Sequence, residues 1–139
     1  MDHQLESMWK TINTTLFEGK LSPLAAINWE ETSGPNGIGA HGKFVPQSKC
    51  IMIDQKFRFD EGAKSPKEIA KRMVALSLLV HEMVHHALHE RGAPSPGQHG
   101  EAFMAEARRI SKIMGGVEPS KEDLAQWPVD LGQFALAVD

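Results

Sequence analysis

A chain of 139 residues with 41% hydrophobic and 24% charged side chains has the size of one domain and a composition that supports a folded core rather than disorder. A net charge of −3 with a pI near 6.2 argues against a domain built to coat nucleic acid. The single cysteine, Cys50, excludes an internal disulfide framework and any zinc site made of two or more cysteines.

No apolar run approaches the ~18–20 residues of a membrane span. The opening Met1-Asp2-His3-Gln4 also lacks the basic-then-apolar order of a signal peptide. The expectation is one cytoplasmic domain over 1–139, with a core from about 4 to 114 and a solvated acidic tail over 117–139.

From Gln4 to Phe17, Leu5, Met8, Trp9, Ile12, Leu16 and Phe17 recur at spacings of three and four, the apolar face of a helix that Gly19 closes. A short strand is predicted from Ala25 to Trp29, then a turn over Ser33-Gly34-Pro35-Asn36-Gly37. Ile38 to Val45 and Cys50 to Asp54 flank Pro46-Gln47-Ser48-Lys49, which predicts a hairpin. Ser65-Pro66-Lys67-Glu68 supplies an N-cap serine, a proline at the first helical position and a capping-box glutamate. The helix it starts is predicted to bury Ile69, Met73, Leu76, Val80, Val84, Ala87 and Leu88, and to stop at Arg91-Gly92 before Pro94 and Pro96. A last helix from Gly100 to Met114 presents Phe103, Met104, Ala107, Ile110 and Met114 inward and ends at Gly115-Gly116. Short strands and flanking helices together give an α+β class.

Charge is unevenly distributed. Six basic and three acidic residues between Lys56 and Arg72 give +3, and Val117 to Asp139 carries −4. Both read as solvated surface.

His81-Glu82-Met83-Val84-His85 is an H-E-x-x-H sequence on the best-defined helix. Residues four apart stand one above the other, about 6 Å along the axis, so His81 and His85 can share one Zn²⁺, with Glu82 beside them as a base. A catalytic zinc usually takes three protein ligands and keeps one position open. His99, in Gly97-Gln98-His99-Gly100 after a Gly/Pro-rich reversal, is the favoured third ligand, and its flanking glycines would allow close backbone approach. Glu101 and Glu106 on the following helix are the alternatives. Leu88 and Arg91 stand where a metzincin would carry its glycine and third histidine.

H-E-x-x-H at His81–His85 followed by H-G-x-x-F at His99-Gly100-Glu101-Ala102-Phe103 resembles the SprT-like metalloprotease family, which includes the Spartan proteases of DNA–protein crosslink repair. Leu16-Phe17-Glu18-Gly19-Lys20-Leu21 is similar to that family's F-x-G-x-L opening, and a strand ending in Trp29 follows. The resemblance spans about Gln4 to Met114. It implies a zincin-like minimal protease domain, a small antiparallel sheet or hairpin packed on the active-site helix. It also implies peptide-bond hydrolysis with His81, His85 and His99 on Zn²⁺, directed at DNA-associated or crosslinked proteins near nucleoid or nucleus. Members often continue into a cysteine zinc ribbon, which this sequence lacks, so DNA binding by this chain alone is expected to be weak.

The expected chemistry is attack by a metal-activated water on a peptide carbonyl, with Glu82 as general base. The sequence has no tyrosine, so a second oxyanion donor must be a His, Arg or Lys, a backbone N–H, or a substrate group. His41, His86 and His89 are candidates. Cys50 reads as a core residue, and the Ile38–Asp54 hairpin as the edge on which an extended protein or peptide substrate could align. The competing function is a metal-stabilised binding module without catalysis, distinguished by closed four-ligand coordination.

Overall fold

In the computed structural model, which describes residues 2–32, 41–114 and 127, the chain opens with α1, His3–Leu16. The Asp2 side chain caps it by accepting from the Leu5 backbone N–H. Leu5, Trp9, Ile12 and Leu16 are buried as their spacing predicts. Asn13, buried on the same helix, accepts from the Leu21 N–H at 3.1 Å and donates to its carbonyl at 3.3 Å. That pair satisfies a polar side chain inside the core and fixes the loop after α1.

Three strands follow: β1, Ala26–Glu30; β2, Gly42–Val45; and β3, Cys50–Asp54. The β2–β3 hairpin turns over Pro46–Lys49 as expected, with Lys49 in the left-handed region at φ 51°. The antiparallel expectation for the sheet needs correction. Its order is β1-β3-β2, and β1 pairs parallel to β3, Ala26 opposite Cys50 through Glu30 opposite Asp54. The sheet is therefore mixed: β2 follows β1 in the sequence yet lies on the far side of β3, and pattern within a strand says nothing about its neighbour's direction. The expected Ser33–Gly37 turn and the start of the second strand at 38–40 lie outside the described residues.

After a 3-10 turn, Gln55–Phe57, the long helix α2 spans Pro66–Glu90. Ser65 Oγ accepts from the Glu68 N–H and Arg91 is the C-cap, so both ends fall where the sequence puts them. Only half of the capping box forms. The Glu68 carboxylate, instead of returning to Ser65, accepts from the Asp60 backbone N–H at 2.8 Å. α3, Glu101–Met114, packs against α2. Among the described residues the class is α+β, with three helices and one three-stranded mixed sheet, and no helix is long and apolar enough to cross a membrane.

α2 packs against β2, β3, α1 and α3. From Leu78 to Leu88 every residue is buried, so this segment has no solvent face. In its first half the predicted inward stripe is wrong. Ile69, Met73 and Leu76 are 42%, 48% and 39% exposed, while Ala70, Val74, Ala75 and Leu79 are buried. Both faces are apolar there, so spacing alone could not choose between them; the sheet and α1 accept the face with small Ala and Val side chains. Met114, also expected inside, is 51% exposed, because the helical phase continues past the end of the core. Cys50 is half-buried rather than a core residue, its thiol donating to the Ser48 carbonyl at 3.3 Å.

Two substitutions separate the two phases. Leu76→Ala should change unfolding free energy by no more than about 0.5 kcal/mol, as at ordinary surface positions. Leu79→Ala should cost about 2–5 kcal/mol through lost burial and a residual cavity. Urea denaturation of each variant would measure this.

Candidate metal centre

The uninterrupted burial of α2 from Leu78 to Leu88 takes four polar side chains into the interior, His81, Glu82, His85 and His86, each under 10% exposed. Each needs a partner or must stay neutral. His81 and His85, one helical turn apart, project toward α3. There Phe103, fully buried, lies beneath both rings and beneath His99, its centroid 4.9 Å from each of the three. α2 thus presents two imidazoles on one face, and the turn into α3 returns His99 to them.

The three Nε2 atoms converge. His99 Nε2 lies 3.0 Å from His81 Nε2 and 3.2 Å from His85 Nε2, and the ligand atoms all fall within 4.8 Å of one another. The opposite nitrogens decide what this means. His81 Nδ1 is 2.7 Å from the Trp127 carbonyl oxygen, and His85 Nδ1 is 2.8 Å from the Pro96 carbonyl oxygen. A carbonyl can only accept, so each Nδ1 carries the hydrogen and each neutral ring turns an Nε2 lone pair inward. Lone pairs at this separation repel unless a proton or cation sits among them. This donor set fits a divalent metal that takes imidazole nitrogen, with outer carbonyls orienting the rings as in known histidine metal sites.

Burial pushes all three histidines toward the neutral, ligating form. His81 is lowered to about 4, desolvation outweighing the Trp127 carbonyl, which favours the charged ring. His85 is lowered by burial against the Pro96 carbonyl, and His99 by burial. Glu82 moves the other way. Burial raises its carboxyl to about 8, with a backbone hydrogen bond from Phe44 pulling against the shift.

The alternative third ligands are set aside by their surroundings. Glu106 is buried beside two guanidinium groups, those of Arg91 and Arg109, and Glu101 is exposed at the start of α3. A Cβ at Gly97 or Gly100 would meet no protein atom within 4 Å, so packing within the chain does not require these glycines. The close approach is at Gly42 in β2, where a Cβ would lie 3.3 Å from Ile53 Cδ1 and the Met52 carbonyl oxygen and 3.6 Å from Glu82 Cγ. Gly42 lets the strand lie directly over Glu82, and nothing in the pattern of β2 signals it.

The three other candidate histidines have their side-chain partners elsewhere. His86 contacts Glu90 at 2.9 Å and stacks 5.1 Å from Phe44, His89 lies 6.0 Å from the same ring, and His41 sits edge-on to Phe57 at 5.4 Å. Trp127 is a second omission from sequence reasoning. Within the stretch expected to be a solvated acidic tail, it is buried at 6% exposure and packs edge-on against Phe103 at 6.0 Å. An aromatic among acidic residues was the available signal. The rest of the expected tail and Gly115-Gly116 lie outside the described residues.

The fold and site therefore define an α+β domain carrying a three-histidine cluster of metal-binding geometry. Compared with family models, curated proteins and solved structures, the chain matches none.

The depressed histidines give metal-free protein a defined acid sensitivity. In the unfolded chain they protonate near pH 6.5, whereas the folded site refuses the proton until lower pH. Their contribution is fully present above about pH 6.5 and is lost as pH falls toward about 4, on the order of 3 kcal/mol for His81. The raised Glu82 carboxyl acts with the opposite sign, gaining stability as pH falls from about 8. The decline is therefore read in chelator-treated Glu82→Gln: urea unfolding at pH 7.5, 6 and 5 should show it, and a flat profile in that variant would contradict the burial described.

Proposed function

We propose that the chain is a zinc-dependent endopeptidase of the SprT-like, zincin kind, with His81, His85 and His99 as ligands and Glu82 as general base. The observation that carries it is the convergence of three Nε2 atoms, two of them on the helix that also holds Glu82 and with their tautomer fixed by a backbone carbonyl. Zinc bound there would polarise a substrate carbonyl and lower the pKa of water to about 7.

Glu82 takes a proton from the attacking water and returns it to the leaving amine. Its burial is suited to that exchange, since a raised carboxyl pKa strengthens it as a base and a nearby cation favours its ionised form. Phe103 and the buried stretch of α2 hold the rings and exclude water from behind them. β2 is an edge strand beside Glu82, and an extended peptide adding to it would bring a carbonyl toward the histidines. His86 is the weakest of the oxyanion-donor candidates, because its Nε2 is held by Glu90 and its other ring nitrogen is buried.

The enzyme is favoured over a structural metal module because, among the described residues, three donors converge and no fourth joins them. A catalytic site keeps such a position open. Zinc analysis and a protease assay on unfolded protein test this together. Glu82→Gln should retain stoichiometric zinc and lose roughly 10²–10⁴-fold or more in hydrolysis, whereas His85→Ala should lose both. Full activity in Glu82→Gln, or no zinc uptake by the parent chain at neutral pH, would remove the proposal.

The proposed action on DNA-linked proteins does not require this chain to hold DNA tightly. Part of its basic surface is engaged within the molecule. Lys71 lies 3.5 Å from Glu68, Arg72 covers the Phe59 ring, Lys56 covers Phe57, and Arg109 lies between Glu106 and Phe17. Cations paired with carboxylates release fewer counterions, and the net charge of −3 opposes binding to a polyanion. Titration of labelled single- and double-stranded DNA at about 150 mM salt should give a Kd no tighter than about 10⁻⁶ M; sub-micromolar binding would refute this.

A further inference from the structure

We infer that Trp127 is a positioning residue for the metal centre, acting through its backbone carbonyl on His81, so that affinity for the ion depends on how this C-terminal residue is anchored. The inference rests on the metal-centre reading above and extends it to a residue 46 positions from His81 along the chain.

The anchoring is built from three contacts. The Trp127 carbonyl oxygen lies 2.7 Å from His81 Nδ1. Its indole N–H donates to Ser111 Oγ on α3 at 3.1 Å. Its ring stands edge-on to Phe103, the residue beneath all three imidazoles, at 6.0 Å and 89°. The residue is 6% exposed and Ser111 is 4% exposed, so neither contact is shared with bulk water.

His85 takes its orienting carbonyl from Pro96, 11 residues away in the loop that also carries His99. His81 has no such local source. Its Nδ1–H is satisfied by a residue whose position depends on α3 through Ser111. With the carbonyl in place, His81 is held in the tautomer that offers Nε2. Without it, a buried N–H loses its acceptor, and the ring is free to rotate or to change tautomer. Coupling of this kind is reciprocal: a docked Trp127 favours metal, and bound metal favours a docked Trp127.

The test is a competition titration of the full-length chain with Zn²⁺, together with the visible spectrum of the Co²⁺-loaded protein and the melting temperature of the metal-free protein. Trp127→Ala should weaken Zn²⁺ binding about 10- to 100-fold, the range for loss of an outer partner of a ligating histidine, and should alter the Co²⁺ bands. Ser111→Ala removes only the anchor of the indole and should shift affinity in the same direction by less, with Ser111→Thr restoring it. Should Trp127→Ala fail to fold, Ser111→Ala and Trp127→Phe, which keeps the packing on Phe103, carry the comparison. A residue that merely supports the fold would lower the metal-free melting temperature while leaving affinity and Co²⁺ bands as in the parent. That result in the folded variants would overturn the inference. A parent chain that binds neither ion would instead refute the metal centre itself.

Discussion

The organisation of this molecule depends on one constraint: α2 is buried on all sides from Leu78 to Leu88. A helix satisfies its own backbone, so its side chains decide whether such burial is tolerable. The apolar members, Leu79, Val80, Met83, Val84 and Ala87, join a core shared with α1, the sheet and α3. The polar members cannot be left bare, and the surrounding elements are arranged to meet them. The sheet lies over Glu82 at Gly42, α3 brings Phe103 beneath the imidazoles, and the turn between α2 and α3 supplies both the Pro96 carbonyl and His99.

Two kinds of compensation coexist on this one helix. His86 is held by a side-chain network: its Nε2 meets Glu90, whose carboxylate also accepts from the Ser22 backbone N–H and hydroxyl. That network ties the end of α2 to the loop after α1. His81 and His85, in contrast, are satisfied on one ring nitrogen by backbone carbonyls, and their other nitrogens both face the single His99 Nε2, at 3.0 and 3.2 Å, which carries at most one hydrogen for the two of them. The first arrangement is structural, holding His86 through Nε2, while its Nδ1 is buried without a hydrogen-bond partner among the described residues. The second leaves concentrated lone-pair density in a partly buried site, which is the condition that draws a cation.

The acidic and basic groups elsewhere show the same preference for local satisfaction. Glu106, which by position along α3 could have faced the histidines, is instead held between Arg91 and Arg109. A buried carboxylate requires such pairing. The result braces the chain on both sides of the segment that carries His99, since Arg91 precedes that segment and Glu106 and Arg109 follow it.

The sequence alone determined the local features: the ends of α2 through Ser65, Pro66 and Arg91, the hairpin around Pro46–Lys49, and the i, i+4 placement of His81 and His85. These follow from capping, turn chemistry and helical period, which act over a few residues. It also singled out His99, because a reversal of the chain after α2 returns whatever follows to the same helix face. Tertiary structure decided what no local rule can specify. It chose which apolar face of the first half of α2 turns inward, exposing Ile69, Met73 and Leu76. It set β1 parallel to β3 and required a glycine at position 42 where strand meets Glu82. It committed Glu106 to arginines and brought the Trp127 carbonyl to His81. Each of these depends on contacts between residues distant along the chain, where free energy is set by which surfaces meet rather than by the spacing of residues within either one.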